Sequence, residues 1–424
     1  MTRPPVWRSV AVAGVAALAL AACGGSSDTP GASSSSSPAG SSSPAAQAKS
    51  NGTLKIGTLL PQTGSLAFLG PPEFAGVDLA VKDVNAAGGV LGKDIEKQDS
   101  DSGDTSTNIA SQSVDRLLGQ DADAIVGAAS SGVSKTVIDK ITGAGVVHFS
   151  PANTSPDFTD YADRGLYFRT APSDVLQGRV LGDLILDDGG SSVAIMALQD
   201  PYGTGLADNV TKSVEGGGGQ VVEQVIYDPK AANFSAEVGK LKAANPDAIA
   251  LIAFEETKKI VPEMKKQGID LSKVYFVDGN LADYSKDFPA GTLTGAKGTQ
   301  PGVVAGDAFK KRLATVNPNL KDYNYAPESY DAVVLTALAA EAAKSDAGTA
   351  IAAKLVEVSK GGTKCTSFAD CKKLIAAGTD IDYDGISGPI EFSDKGDPSE
   401  ATIGIYQYGA DNKNKFLEGK SGKV

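Results

Sequence analysis

The chain has 424 residues, 41% hydrophobic and 21% charged, which is length for two or three domains and apolar material for sizeable cores, so a wholly disordered chain is excluded. With 51 Asp and Glu against 39 Lys and Arg the formal net charge is −12, a balance that repels a phosphate backbone and argues against nucleic-acid binding driven by counterion release. A single histidine, His148, rules out His-rich zinc sites and HExxH, and it removes the usual player from most imidazole-based hydrolases.

Arg3 and Arg8 precede an apolar run over 10–22, which is too short to span a bilayer comfortably and has the basic-then-apolar order of an export signal. Residues 1–22 therefore read as a signal peptide. The run ends Leu20-Ala21-Ala22-Cys23, which resembles the bacterial lipobox, whose cysteine thiol receives diacylglycerol; an ordinary signal peptide containing a cysteine is the alternative. From 24 to about 50 the chain is almost entirely Ser, Gly, Ala and Pro, so 23–52 reads as a lipid-anchored tether with a reach of roughly 30 Å. This places the protein outside the cytoplasm, held at the cell membrane by Cys23. No other segment has the roughly eighteen consecutive apolar residues that a membrane span needs.

The body alternates strand and helix. A short apolar run over 54–60 suits a buried parallel strand, and Phe74, Val77, Val81 and Val84 then recur at helical spacing until Gly88-Gly89 stops the helix. Strand-like runs follow at 124–128, 146–150, 192–198, 221–227, 248–254 and 274–277, with helix-period segments at 107–118, 134–142, 203–215, 234–244 and 256–267. After 302 the pattern turns mostly helical, over 305–316, 327–344, 348–359 and 368–377, before strand-like runs at 389–392 and 402–408. One sheet would be unusually wide for so many strands. Two α/β lobes sharing crossovers fit better, with ligand bound at the carboxyl ends of the strands.

Two loops stand at such ends. Ser130-Ser131-Gly132 and Pro151-Ala152-Asn153-Thr154 offer hydroxyls and unpaired backbone N–H groups, which can hold a carboxylate without a basic residue; a helix cap and a plain turn are the simpler account. With Cys23 lipidated, Cys365 and Cys371 remain as an even pair in an oxidising context, and a disulfide is expected; their spacing is not CxxC and His148 is far away, which weakens a metal or redox reading.

The stretch LKIGTLLPQTGSLAFLGPPEFAGVDLAVKDVNAAGGVLG resembles the opening of the branched-chain amino-acid (leucine/isoleucine/valine) binding proteins of ABC importers. The likeness continues through GAASS, SPANTSPDFT, QDPYGTGLAD, the VDG segment, SYDAV and SGPIEFSDKGDP, covering nearly all of 53–408. It implies two doubly wound α/β lobes joined by three crossovers, the first made of 53–172 with 303–385 and the second of 173–302 with 386–424. A ligand clamped between them, an ABC permease as membrane partner, a monomeric state, no cofactor and no catalysis are implied with it.

By the same resemblance Ser131 and Thr154 bind the ligand carboxylate, the Ala152 carbonyl accepts from its ammonium, and Asp278 is the acidic partner of that ammonium. Asp278 is one methylene shorter than the glutamate usual in leucine binders. Tyr202 touches the main-chain end of the ligand, while Leu69, replacing an aromatic, Phe254 and Tyr325 shape the side-chain pocket.

Three features compete for attention. Asp380, Asp382, Asp384, Gly385 and Glu391 fit the EF-hand spacing for calcium, against which stand Ser387, Pro389 and the family's own YDGxSGP turn. His148 reads as a neutral core or loop histidine, and Lys258-Lys259 with Lys265-Lys266 as the solvated face of one helix. Three functions remain in view: a lipid-anchored amino-acid receptor of an importer; an enzyme on the same frame, for which no nucleophile-base pair is found; and a binding or sensor protein for an amide, urea or aromatic or short carboxylic acid.

Overall fold

The computed structural model describes residues 50–424; the expected signal peptide, Cys23 and the tether up to 49 lie outside the described residues. β1 (Lys55–Leu59) is apolar enough to be buried almost throughout. It leads into α1 (Gly70–Ala86), whose Pro71 and Pro72 sit in the first turn, where a missing N–H leaves no partner unserved. β2 (Glu96–Gln98), α2 (Ile109–Gly119), β3 (Ala124–Gly127), α3 (Ser131–Gly143), β4 (Val147–Ser150) and β5 (Tyr167–Arg169) follow. Their strands form a parallel sheet in the order β2-β1-β3-β4-β5.

The chain then crosses to a second sheet. α4 (Asp174–Asp187), β6 (Ser192–Leu198), α5 (Pro201–Gly216), β7 (Gln220–Tyr227), α6 (Ser235–Ala244), β8 (Ala248–Ile252), α7 (Thr257–Lys266), β9 (Val274–Phe276) and β10 (Lys297–Pro301) build it. It returns to the first lobe for α8 (Asp307–Leu313), α9 (Ala326–Ala343), α10 (Gly348–Val358), β11 (Thr363–Cys365), α11 (Phe368–Ala376) and β12 (Ile381–Tyr383). A third crossing leads to the antiparallel pair β13 (Glu400–Tyr408) and β14 (Asn414–Lys423), which completes the order β14-β13-β10-β9-β8-β6-β7. Two α/β lobes with three crossings is thus the architecture. Among the described residues no helix is long and apolar enough to cross a membrane.

Several elements differ from the expectation. α3 begins at Ser131, three residues early, because Ser130 caps it through its hydroxyl to the Val133 N–H (3.3 Å) and so draws the Ser131-Gly132 loop into the first turn. α4 was hidden by Gly178 and Gly182, poor helix formers that are needed where α4 presses on α5: a Cβ on Gly178 would stand 2.6 Å from the Asn209 Cβ. β10, KGTQP, has no apolar alternation; its backbone is held from both sides by β9 and β13.

The run 389–392 is not a strand, since Ile390 and Glu391 take left-handed backbone angles (φ 63° and 45°) that break an extended chain. Ile390 and Phe392 nevertheless pack in the first lobe's core, so the chain leaves that lobe after Phe392 and not at 386. Cys365 and Cys371 form a disulfide, Cα atoms 5.4 Å apart, that ties the end of β11 to α11.

Candidate functional site

The loop after β4 is fixed from below. The Ser150 hydroxyl donates to the Ala128 carbonyl (2.7 Å) and accepts from the Ala152 and Asn153 N–H groups (3.2 and 2.9 Å). The Asn153 amide donates to the Ala128 and Ala129 carbonyls (3.0 and 2.8 Å), and the buried Arg169 guanidinium donates to the Asn153 and Ser155 carbonyls (3.3 and 2.7 Å). With its backbone satisfied below, this loop turns Ala152 and Thr154 toward the cleft. The Thr154 hydroxyl is buried and has no hydrogen-bond partner.

Beside it, Ser131 opens α3. Its hydroxyl accepts from the Ser155 N–H (3.3 Å), which leaves the hydroxyl proton available, and the first N–H groups of the helix have no partner within it. The Ser131 and Gly132 amides, the positive end of the helix dipole and two hydroxyls are chemistry that can hold an anion without a cation.

The second lobe supplies the opposite charge. Asp278 follows β9 in a short 3-10 turn and is buried. One carboxylate oxygen accepts from the Tyr202 phenol (2.7 Å) and the Gln177 amide (3.0 Å); the other accepts from the Tyr325 phenol (2.8 Å). Burial raises its pKa above the usual aspartate value, while the hydrogen bonds from Tyr202, Tyr325 and Gln177 pull it back. Gln177 is itself anchored by donating to the Thr299 carbonyl and hydroxyl (3.3 and 3.2 Å).

All eight residues expected at the site, Leu69, Ser131, Ala152, Thr154, Tyr202, Phe254, Asp278 and Tyr325, line one narrow pocket, together with Leu66, Ala129, Ser130 and Gly279. All eight are buried, and the lobes touch across the cleft, where the Ser155 hydroxyl donates to the Pro201 carbonyl (2.9 Å). Asp278 is the sole charge in this lining. Gln177, Thr299 and Gly279 were not anticipated; for Gln177 the signal was present in Ser173, which caps α4 through the Val175 N–H (3.4 Å) ahead of a helical run of Leu176, Val180, Leu181 and Leu184.

The competing features resolve separately. The Lys364 ammonium lies 3.0 Å from Asp382, 2.9 Å from Asp384 and 3.8 Å from Glu391, so a fixed cation already sits among the carboxylates of the EF-hand-like spacing. Among the described residues no cluster of His, Cys, Asp or Glu is arranged to hold a metal ion. His148 is buried in β4 and burial lowers its pKa to about 4, so it is neutral. Lys258, Lys259, Lys265 and Lys266 lie on the exposed face of α7.

A helix N-terminus with two hydroxyls on one lobe facing a buried carboxylate on the other, across a cleft between two α/β lobes, is the layout of a binding protein. Residues 53–413 match the periplasmic binding protein family, and the chain belongs to it. Among curated relatives, Leu/Ile/Val-binding protein homolog 3 of Brucella melitensis is 28% identical over 367 residues, 84% of this chain and 91% of the relative. Leu/Ile/Val-binding protein homolog 1 of Brucella abortus is 28% identical over 384 residues, 86% and 93% of the two chains. Among solved structures, the branched-chain amino-acid transporter substrate-binding protein LivJ of Streptococcus pneumoniae in complex with isoleucine superposes with a TM-score of 0.71 at 24% identity, covering 88% of this chain and all of that one. A solute-binding protein of R. palustris in complex with benzoate superposes with a TM-score of 0.68 at 19% identity, covering 88% and 98%. Both likenesses concern the fold.

Proposed function

We propose that the protein is the extracytoplasmic receptor of an ABC importer, monomeric and held at the membrane by lipidated Cys23, and that it captures a small α-amino acid of the branched-chain type and presents it to the permease. The observation that carries this reading is the pairing of opposite electrostatics across one buried pocket: the α3 N-terminus with Ser131 and Thr154 on one side, Asp278 on the other. A zwitterion satisfies both ends, its carboxylate on the first lobe and its ammonium on Asp278 and the Ala152 carbonyl. Leu66, Leu69, Phe254 and the Tyr325 ring then surround an aliphatic side chain. The names of the curated relatives and of the isoleucine-bound neighbour support the ligand class.

The benzoate-bound neighbour keeps a second reading in view, a simple carboxylic acid. Such an anion would face Asp278 with no cation in the lining to offset it, which favours the zwitterion. Titration calorimetry with leucine, isoleucine, valine, their amides, urea and benzoate tests the assignment. The expected result is heat from the free amino acids and none from benzoate; preference for ligands lacking an α-ammonium would sink it.

A further inference from the structure

The second crossing, 302–306, leaves β10 at Gly302 and enters α8 with no regular structure in between. Gly302 holds a left-handed backbone angle (φ 95°), and its N–H donates to the Thr402 carbonyl (2.9 Å). A Cβ there would collide with the Glu328 Oε1, so the carboxyl lies directly on the backbone of the crossing, a fit that only glycine allows. The same residue meets the first crossing, where the Thr170 hydroxyl donates to the Glu328 carbonyl (3.0 Å). Glu328 stands in the first turn of α9, just after Tyr325, whose phenol reaches Asp278 across the cleft. One buried residue thus touches two crossings and sits at the base of the cleft-spanning bond.

The surroundings of that carboxyl are acidic. α1 presses on the start of α9, where a Cβ on Gly76 would stand 3.0 Å from the Ser329 Cβ, and one turn earlier α1 buries Glu73 with both oxygens unpartnered. The titratable groups that act on Glu328 or feel its charge are Glu73 on α1, Asp331 on α9, Tyr325 before α9 and Tyr406 on β13. All are carboxyls or phenols. An ionised carboxylate among them is buried without a compensating cation, and hydrating it requires the crossing to lift away from α9.

We propose that Glu328 is a positioning residue of the hinge: its uncharged carboxyl, seated on Gly302, holds the lobes at the closed angle, and its ionisation lets them swing open. The inference does not depend on which ligand the cleft takes. Burial raises the Glu328 pKa to about 8, and the charge of Asp331 adds to the rise. Opening hydrates the carboxyl and returns it toward its ordinary value. The closed form is therefore favoured in acid and loses that advantage as pH rises from 4.5 to about 8.

The test is small-angle scattering of the full chain with no amino acid added, from about pH 5 to about pH 9, with circular dichroism at each point to show that the fold is kept. In the wild type the radius of gyration should grow with pH and level off at the alkaline end. Glu328→Gln, and Glu328→Met as a second uncharged replacement, should keep the acid-form radius throughout. Glu73→Gln should still respond. A wild-type radius that stays constant would overturn the proposal, as would expansion of both uncharged variants in parallel with the wild type. A response lost in Glu73→Gln and kept in Glu328→Gln would overturn it too, by moving the switch to α1.

Discussion

Tyr325, which precedes α9 of the first lobe, donates its phenol to the Asp278 carboxylate of the second lobe at 2.8 Å, so the hydrogen bond spans the cleft. Tyr325 holds left-handed backbone angles (φ 58°, ψ 9°), an uncommon conformation for a bulky residue that aims its ring into the site from the helix start. Under the proposed function, the contact between the lobes and charge recognition therefore meet at one carboxylate. Because a ligand shifts an open-closed equilibrium only through better affinity for one state, a contact made only on closure contributes directly to affinity. Tyr325→Phe should weaken amino-acid binding by roughly 1.5–3 kcal/mol, the usual worth of a hydrogen bond to a charged group. It should also enlarge the radius of gyration in solution scattering. Unchanged affinity and an unchanged radius would make the phenol a bystander.

Asp278→Asn should weaken an α-amino acid by roughly 2–5 kcal/mol, the loss typical when one partner of a buried charge pair is removed, while a simple carboxylic acid loses far less. The same carboxylate gives a pH dependence whose sign follows from its raised pKa. Under the proposed function protonation removes the ammonium's partner, so amino-acid affinity should fall on acidification, beginning at a higher pH than an exposed aspartate would need. Calorimetry across pH, with Asp278→Asn as the flat control, checks it.

Arg169 and Asp397 fasten the third crossing to β5. The guanidinium Nε lies 2.6 Å from one Asp397 oxygen and Nη2 3.1 Å from the other, with the arginine side chain fully buried. Cutting such a pair on one side strands a buried charge, so Asp397→Asn should cost about 3–5 kcal/mol of stability, measured by urea unfolding. A loss under about 1 kcal/mol would place the pair among those that contribute little.

Glu73 on α1 and Glu328 on α9 are buried acids; the charge of Glu328 adds to Glu73's cost of ionising, and that of Asp331 adds to Glu328's. Burial pushes Glu328 up to about 8, and both Glu73 oxygens lack a hydrogen-bond partner, its pKa raised by burial and by the charge of Glu328. A carboxyl whose folded pKa exceeds its unfolded value binds more protons when folded, so stability falls as pH rises through the interval. For Glu328 that interval runs from 4.5 to about 8. The melting temperature should drop across it, and Glu328→Gln should flatten the drop and raise the melting point at its alkaline end. Parallel profiles for the two proteins would rule out the assignment.

Wherever one short run of residues carries both pattern and position, the sequence was legible. Apolar runs at 192–198 and 221–227 became β6 and β7 nearly residue for residue: β6 is buried almost throughout, as a strand covered on both faces requires, while β7 is an edge strand that buries Val225 and Tyr227 and exposes Gln224 and Ile226 between them. Ser131, Ala152, Thr154 and Asp278 stand where loops leave strand ends, a place that local signals and family motifs both mark. The network around Asp278 lay beyond such signals: Gln177 is 101 residues from Asp278 and 122 from Thr299. Nothing in KGTQP announces a central strand, since its order comes from the backbone pairing of β9 and β13, and nothing in Asp278-Gly279 announces that an aromatic ring lies on the glycine. Side-chain chemistry and periodicity are local properties of a chain, whereas the burial of the pocket and the partners of its one charge exist only once two lobes have come together over them.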